Sequence, residues 1–458
     1  MYKTVVINVV GLTNSLIGEY TPHIKEFTQR SKNATIKSVF PAVTCSVQST
    51  YLTGTWPDKH GIVGNGWYDK EAAEIKFWKQ SNKLVHGEKI WEKARKLDND
   101  FTCAKMFWWY NMYSTADYSV TPRPMYPADG RKLPDIYTQP AGLRDELQEK
   151  LGQFPLFNFW GPNSTIASSR WIAESAIMVD EKHDPTLSLI YLPHLDYCLQ
   201  QKGPNPKMIS SELGEIDSIC GDLIRYFEEK NTRVILLSEY GISSVSQPIH
   251  INRLLRENGY IAVRNELGHE LLDAGASKAF AVADHQIAHI YIQDKRHAPE
   301  IKALLEKSKG VERVLDEDGK KEMHIDHDRA GDLIAVADED ALFTYYYWLN
   351  EEDAPDFAHC VDIHRKPGYD PAELFVDPEI KFPSLKVASI LIKKKLGFRY
   401  LMDVIPLNAN LVKGSHGRLA SSPKVEPVLI SNSPNLLDKN QYQPIDVQDI
   451  ILNHLTKS

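Results

Sequence analysis

Four side chains stand where an apolar, strand-like run gives way to a loop or helix, and each carries a group able to do chemistry: Thr44, Asp196, Glu239 and His416. Thr44 follows the short strand-like SVFPA and opens the helix-like CSVQSTYLTG. A hydroxyl at a helix start has two uses. It can cap the helix by accepting a backbone N–H, or it can attack an anionic centre that the free N–H groups help neutralise. Asp196 closes LSLIYLPHLD and Glu239 closes VILLSE. His416 lies in VKGSHGR, where glycines leave room for a ligand to come close.

Other polar residues fall into pairs. His194 and Asp196 are two apart, on one face of a segment read as extended, and Asp362 and His364 repeat the spacing in CVDIHRKPGYDP. Carboxylate plus imidazole suits Zn²⁺ or Mn²⁺, although such pairs are also ordinary surface features. Arg365 and Lys366 follow the second pair and could supply positive charge. In DKHGIVGNG, His60 reads as structural. Asn65 reads either as a turn residue or as an amide facing an anion.

The elements that must position these groups alternate strand and helix in the first half, which predicts a mainly parallel sheet with helices on both faces. TVVINVV, Phe101 to Phe107, Leu187 to Leu192 and Val234 to Leu237 read as strands. Between the last two, Ser210 to Glu229 carries an apolar stripe at Leu213, Ile216, Cys220, Leu223 and Phe227, the spacing of a crossover helix. A further helix begins at Pro22. After His250 the elements shorten, so residues 251–399 are expected to form a smaller α+β lobe set into a core of residues 1–250 and 400–458. Ser384 to Lys395 returns to helix, and DVQDIILNHL is a last helix capped by Asp446. In such sheets, polar groups at the carboxyl ends of parallel strands meet in one crevice.

With those residues in hand, FPAVTCSVQSTYLTGTWPDKHGIVGNGWYD resembles the nucleophile region of the type I phosphodiesterase/nucleotide pyrophosphatase family of the alkaline phosphatase superfamily. YLPHLDY with KGP, VILLSEYGI, HDRAGDLIAVA and GSHG follow in that family's order. The resemblance implies an alkaline-phosphatase-like fold and hydrolysis of a phosphodiester or pyrophosphate. Thr44 falls on the nucleophile and Asn65 on the amide that contacts phosphate. It also implies two zinc ions about 4 Å apart. One is held by an Asp near the N-terminus, the Thr and an Asp-His pair; the other by an Asp, a His four residues later and a late His.

Thr44, Asp196 and His416 are kept, but Val10-Gly11 replaces the N-terminal Asp-Gly, Glu239-Tyr240 the Asp-His pair, and Gln200 the second His. Valine has no donor atom, and phenol and amide are poor replacements for imidazole. The expectation is therefore one divalent ion, zinc, rather than two. Its ligands are expected on Asp196 and His416, with Asp362 or His364 recruited and Glu239 left at the degenerate first position. The alternative is a non-catalytic descendant that binds a phosphorylated ligand or a partner.

Bulk properties narrow the partners. A net charge of −8 argues against a nucleic-acid duplex. No apolar run reaches membrane-spanning length, so no membrane is expected. Five scattered cysteines read as free thiols of a reducing cytoplasm. The remaining partner is a small phosphorylated substrate, for which the aromatic FWWYNMY and GWYD could supply a stacking wall or merely core.

Overall fold

The computed structural model describes residues 1–458. Its central sheet contains, in chain order, β1 (Thr4–Val9), β2 (Lys32–Ile36), β3 (Cys103–Met106), β4 (Tyr118–Pro122), β5 (Ile136–Gln139), β6 (Leu187–Leu192) and β7 (Arg233–Leu237). An antiparallel sheet of the second half follows, with β8 (Ala279–Asp284), β9 (Ile287–Ile292), β10 (Val311–Leu315) and β11 (Leu333–Ala337). β12 (Val428–Ser431) and β13 (Gln441–Tyr442) then rejoin the central sheet.

The central order is β13-β2-β12-β7-β1-β6-β3-β4-β5. From β7 through β4 all neighbours are parallel. β5 and β12 join antiparallel. β1 is buried along its whole length, as a β-branched strand covered on both faces should be. Its register puts Val9 beside Leu192 and Asn8 beside Leu237, so the carboxyl ends of β6, β1 and β7 finish together.

Helices cover both faces. α1 (Pro22–Gln29), α3 (Ile166–His183), α4 (His194–Lys202) and α5 (Ser210–Glu229) pack among themselves on one side, and α2 (Thr44–Thr53) meets the C-terminal helix on the other. All five stripe residues of α5 are buried. α2 is buried from end to end despite its many hydroxyls. Ser49, Thr50 and Thr53 donate back to the carbonyls of Cys45, Ser46 and Ser49, which removes the cost of burying them. Gly54, in the left-handed region at φ 61°, ends the helix.

Several local expectations change. Ser38 to Ala42 is a loop; the strand stands earlier, as β2. The helix Pro383–Lys395, α6, runs essentially where expected. In α7 (Asp446–Thr456), Asp446 is the first helical residue rather than the cap, and its carboxylate takes the Gln443 N–H at 3.0 Å. β8–β11 share a separate apolar core with Leu255, Ile301 and Phe343. All five cysteines are free.

α7 is locked to β12 by a buried imidazole. His454 Nδ1–H donates to Ile450 O at 2.8 Å, and Nε2 accepts from Ser431 Oγ at 2.7 Å. Burial lowers its pKa to about 4 from an ordinary 6.5. The unfolded chain therefore takes up a proton that the folded one refuses. This contribution is intact above about 6.5 and is lost as pH falls toward 4, by up to about 1.4 kcal/mol per pH unit. Thermal unfolding followed between those pH values should show a shallower slope for His454→Gln than for the parent.

Candidate active site

The carboxyl ends of parallel strands and the helices α2, α4 and α6 border a cavity of about 570 Å³. Its polar end is lined by Thr44, Asp196, Tyr240, His285, Tyr369 and His416, and its body by aromatic residues including Trp78, Trp109, Phe159 and Trp160. The long aromatic segment thus contributes Trp109 to a wall, while Trp108 and Tyr110 are core.

Thr44 is the first residue of α2, and Val43, with no capping side chain, occupies the cap position. The capping reading of Thr44 therefore fails. Its Oγ1 lies 2.9 Å from the Tyr240 hydroxyl, which in turn donates to Asp196 Oδ1 at 3.4 Å. Asp196 is helical, in the first turn of α4, not extended as its spacing from His194 suggested. The two side chains consequently diverge: His194 turns toward Glu215, 3.4 Å away, while Asp196 enters the cavity. Gln200, one helical turn on, donates to Asp196 Oδ2 at 3.0 Å and accepts from Tyr369 at 2.7 Å. Burial in this apolar setting pushes Asp196 up to about 7.

His416 Nδ1–H donates to Ala42 O at 2.7 Å, which leaves Nε2 with its lone pair, 3.6 Å from Asp196 Oδ1. Its ring stacks on Tyr240 at 3.8 Å, and burial holds it well below the usual imidazole range. Glu239 lies behind Thr44 and outside the cavity lining. Its Oε1 accepts from Asn8 and Gln48, each at 2.6 Å, and Oε2 has no partner. Burial, with no cation near, pushes it up to about 8.

Asn65 is likewise outside the cavity lining. Its Oδ1 accepts the Cys45 N–H at 3.0 Å, and its Nδ2 donates to Asp284 Oδ1 at 3.1 Å. Its amide therefore closes the first turn of α2 rather than facing a ligand. His60 is structural, hydrogen-bonded to Thr50 and the Ile62 N–H. Asp362 is tied to Arg365 and to a backbone turn, and His364 stands in the cavity wall; no group of three His, Cys, Asp or Glu forms that could hold an ion. Lys366 is not free to replace metal charge, because it is buried between Asp370 and Glu373, 2.7 Å from each. Arg365 projects to solvent.

Two contributors were missed. Asp284 and His285 form the tip of the tight β8–β9 hairpin, His285 at φ 61°. Asp284 holds Asn65, and the His285 ring meets His416 at 3.8 Å. Tyr369, from the GYDP that follows Lys366, stacks on His285 at 3.6 Å. An Asp-His dipeptide between two apolar runs was the available signal for the first; Tyr369 had none.

A hydroxyl at a helix start, set over the ends of parallel strands with a late histidine opposite, is the layout of an alkaline-phosphatase-like α/β protein. Within that class, the chain belongs to the type I phosphodiesterase/nucleotide pyrophosphatase family, which it matches over residues 4–370. It is 25% identical over 263 residues to an uncharacterised pyrophosphatase/phosphodiesterase of Schizosaccharomyces pombe, covering 55% of this chain and 46% of that protein. The chain spans half or less of the length of the curated relatives it matches. Human ectonucleotide pyrophosphatase/phosphodiesterase 5 superposes with a TM-score of 0.59 at 14% identity, over 99% of this chain and 94% of that one. Phosphonoacetate hydrolase from Sinorhizobium meliloti, in complex with phosphonoformate, gives 0.62 at 14%, over 99% and 96%.

The family is generally dependent on divalent metals. The residues present here do not fit its two-ion centre. Val10 is a buried hydrocarbon, Tyr240 fills the space between Thr44 and Asp196 with a phenol whose pKa burial raises well above 10, and Gln200 occupies Asp196 with an amide. Asp196 and His416 remain as a two-ligand remnant. Gln200→His should restore a third ligand. Metal analysis after dialysis against a weak chelator should find at most one zinc in the parent, readily stripped, and firmer retention in the variant.

Proposed function

We propose that the chain hydrolyses a phosphodiester or pyrophosphate bond of a small phosphorylated substrate, with Thr44 as the nucleophile. The observation that carries this reading is the hydrogen-bonded line from Thr44 through Tyr240 to Asp196 at the polar end of an apolar cavity. In the first step Thr44 Oγ1 forms a bond to phosphorus while the bond to the leaving oxygen breaks. The Thr44 proton passes to the Tyr240 oxygen as the Tyr240 proton passes to Asp196, and solvent protonates the leaving oxygen. In the second step water attacks the phosphothreonine and the bond from phosphorus to Thr44 Oγ1 breaks; Thr44 takes back a proton from Asp196 through Tyr240, and the proton lost by the water goes to solvent.

A carboxyl near 7 suits a base that must both take and release a proton around neutrality. The first-turn N–H groups of α2 are the donors nearest to the developing charge. Asn65 joins them only by giving up its present bond to the Cys45 N–H. The aromatic body of the cavity receives the leaving group. No step passes through a metal. One zinc on Asp196 and His416 is the highest occupancy that this reading accommodates. The five free cysteines support a reducing compartment such as the cytoplasm.

A second reading, a non-catalytic binder of a phosphorylated ligand, is favoured by Val10, Gln200 and Tyr240 at the ligand positions of the family.

Hydrolysis of bis(4-nitrophenyl) phosphate separates the two. Thr44→Ala should lose activity by about a hundredfold or more, and Thr44→Ser should keep a measurable part of it, at matched melting temperature. Tyr240→Phe keeps the ring on His416 and removes the proton path, so kcat should fall by roughly a hundredfold with little change in KM. Equal activity in all these proteins would remove Thr44 from the mechanism. A wild type that binds phosphorylated ligands without turning any over would establish the second reading.

A further inference from the structure

α6 and the chain just after it are built unlike the rest of the surface. Phe382 and Leu385 are 68% exposed, Ile392 59%, Leu396 67% and Phe398 65%, and in the whole helix only Ile390 is buried. Elsewhere exposed large apolar side chains are mostly scattered, as on any soluble protein; here five are gathered on one helix and the turns at its ends, and a concentration of exposed apolar groups marks an interaction site. Residues 381–401 also carry six cations and no carboxylate, in a chain of net charge −8. Lys386 is paired with Asp403, and the Lys394 ammonium lies over the Tyr400 ring at 5.5 Å. No carboxylate pairs with Lys393, Lys395 or Arg399.

The inner side of the same segment is part of the cavity that contains Thr44. Val387, Leu391, Lys394, Tyr400 and Met402 line it. One stretch of chain thus forms the wall of an apolar chamber and presents apolar and cationic groups outward beside it.

We propose that this segment docks on the surface of an anionic membrane, with the mouth of the cavity that its inner side walls held beside the lipid. The docking does not depend on the hydrolase reading. Charge complementarity selects the occupant. Phe382, Leu385, Ile392, Leu396 and Phe398 enter the boundary of headgroups and acyl chains, and the lysines and Arg399 meet lipid phosphates. A second copy joined face to face about a two-fold axis would set Lys393–Lys395 against its own equivalent. Sequence reading excluded a membrane on span length, and no helix is long and apolar enough to cross one. A helix lying in the interface needs no such length.

The full chain is tested by co-sedimentation with extruded phosphatidylcholine vesicles, with and without phosphatidylglycerol. Binding should be strong only with the anionic lipid and should fall with added salt. Lys393→Ala/Lys395→Ala should weaken it by about tenfold or more, at roughly 1 kcal/mol per cation. Leu396→Glu/Phe398→Glu should abolish it. None of these four residues lines the cavity, so turnover of bis(4-nitrophenyl) phosphate should not change. Absence of binding to anionic vesicles, or binding indifferent to both double variants, would overturn the proposal. So would a dimer in solution that Leu396→Glu/Phe398→Glu dissociates, because the face would then be a self-association surface. Vesicle binding is read without turnover, so failure of the hydrolase reading would appear separately, as wild-type binding with no hydrolysis.

Discussion

The carboxyl of Glu239 is buried at the end of β7 with no cation to balance it, and its hydrogen bonds fix the geometry around Thr44. Asn8 reaches it from β1 and Gln48 from α2. Gln48 in turn accepts the Trp109 N–H at 2.7 Å, from the loop that leaves β3. Two strand ends, the nucleophile helix and the aromatic wall are thereby joined through one side chain. In so dry a place an unpartnered carboxylate is costly, and the rise of Glu239 to about 8 keeps it neutral near physiological pH. Its family counterpart is the aspartate of a metal-binding pair. Here the same position holds protein to protein.

That exchange extends to the neighbouring positions. Where the resemblance implies imidazoles and ions, Tyr240 and Gln200 supply a phenol and an amide, and both are spent on Asp196. Asp196, His416, Tyr240, Gln200 and Tyr369 form a continuous network of stacking and hydrogen bonds. The replacements are mutually consistent, since each new group has its partner within the site. The side chains at these positions are tied to one another by hydrogen bonds.

Much of this was legible in the sequence, for local physical reasons. β1 and β6 are uninterrupted apolar runs, and α5 repeats its stripe at helical spacing, so period and length sufficed. The family motif alone points Thr44, Asp196 and His416 at one crevice, and all three line the cavity. Other readings failed where the determining contact is distant or the turn type was misjudged. Asp196 seemed extended because it follows β6 so closely, but the helix starts immediately after Pro193. Lys366 seemed available, although its partners Asp370 and Glu373 lie only four and seven residues on, brought back against it by the bend through Pro367-Gly368. Asn65 seemed to face an anion because its true partner, Asp284, is 219 residues away. Asp284, His285 and Tyr369 reach the site from the second half of the chain, and no local pattern reports such a meeting.

The Asn65 bridge couples two things usually considered apart. Its Oδ1 occupies the Cys45 N–H, and its backbone and amide nitrogens grip Asp284 at the tip of the β8–β9 hairpin. An anionic oxygen that takes the Cys45 N–H must displace Asn65, and so disturbs the hold on Asp284. The contact that an anion would replace and the contacts that anchor the hairpin thus meet on one side chain, through which the two are linked. By reciprocity, an anion that displaced Asn65 from the Cys45 N–H would be opposed by whatever holds Asn65 on Asp284, which gives the antiparallel sheet a lever on the start of α2.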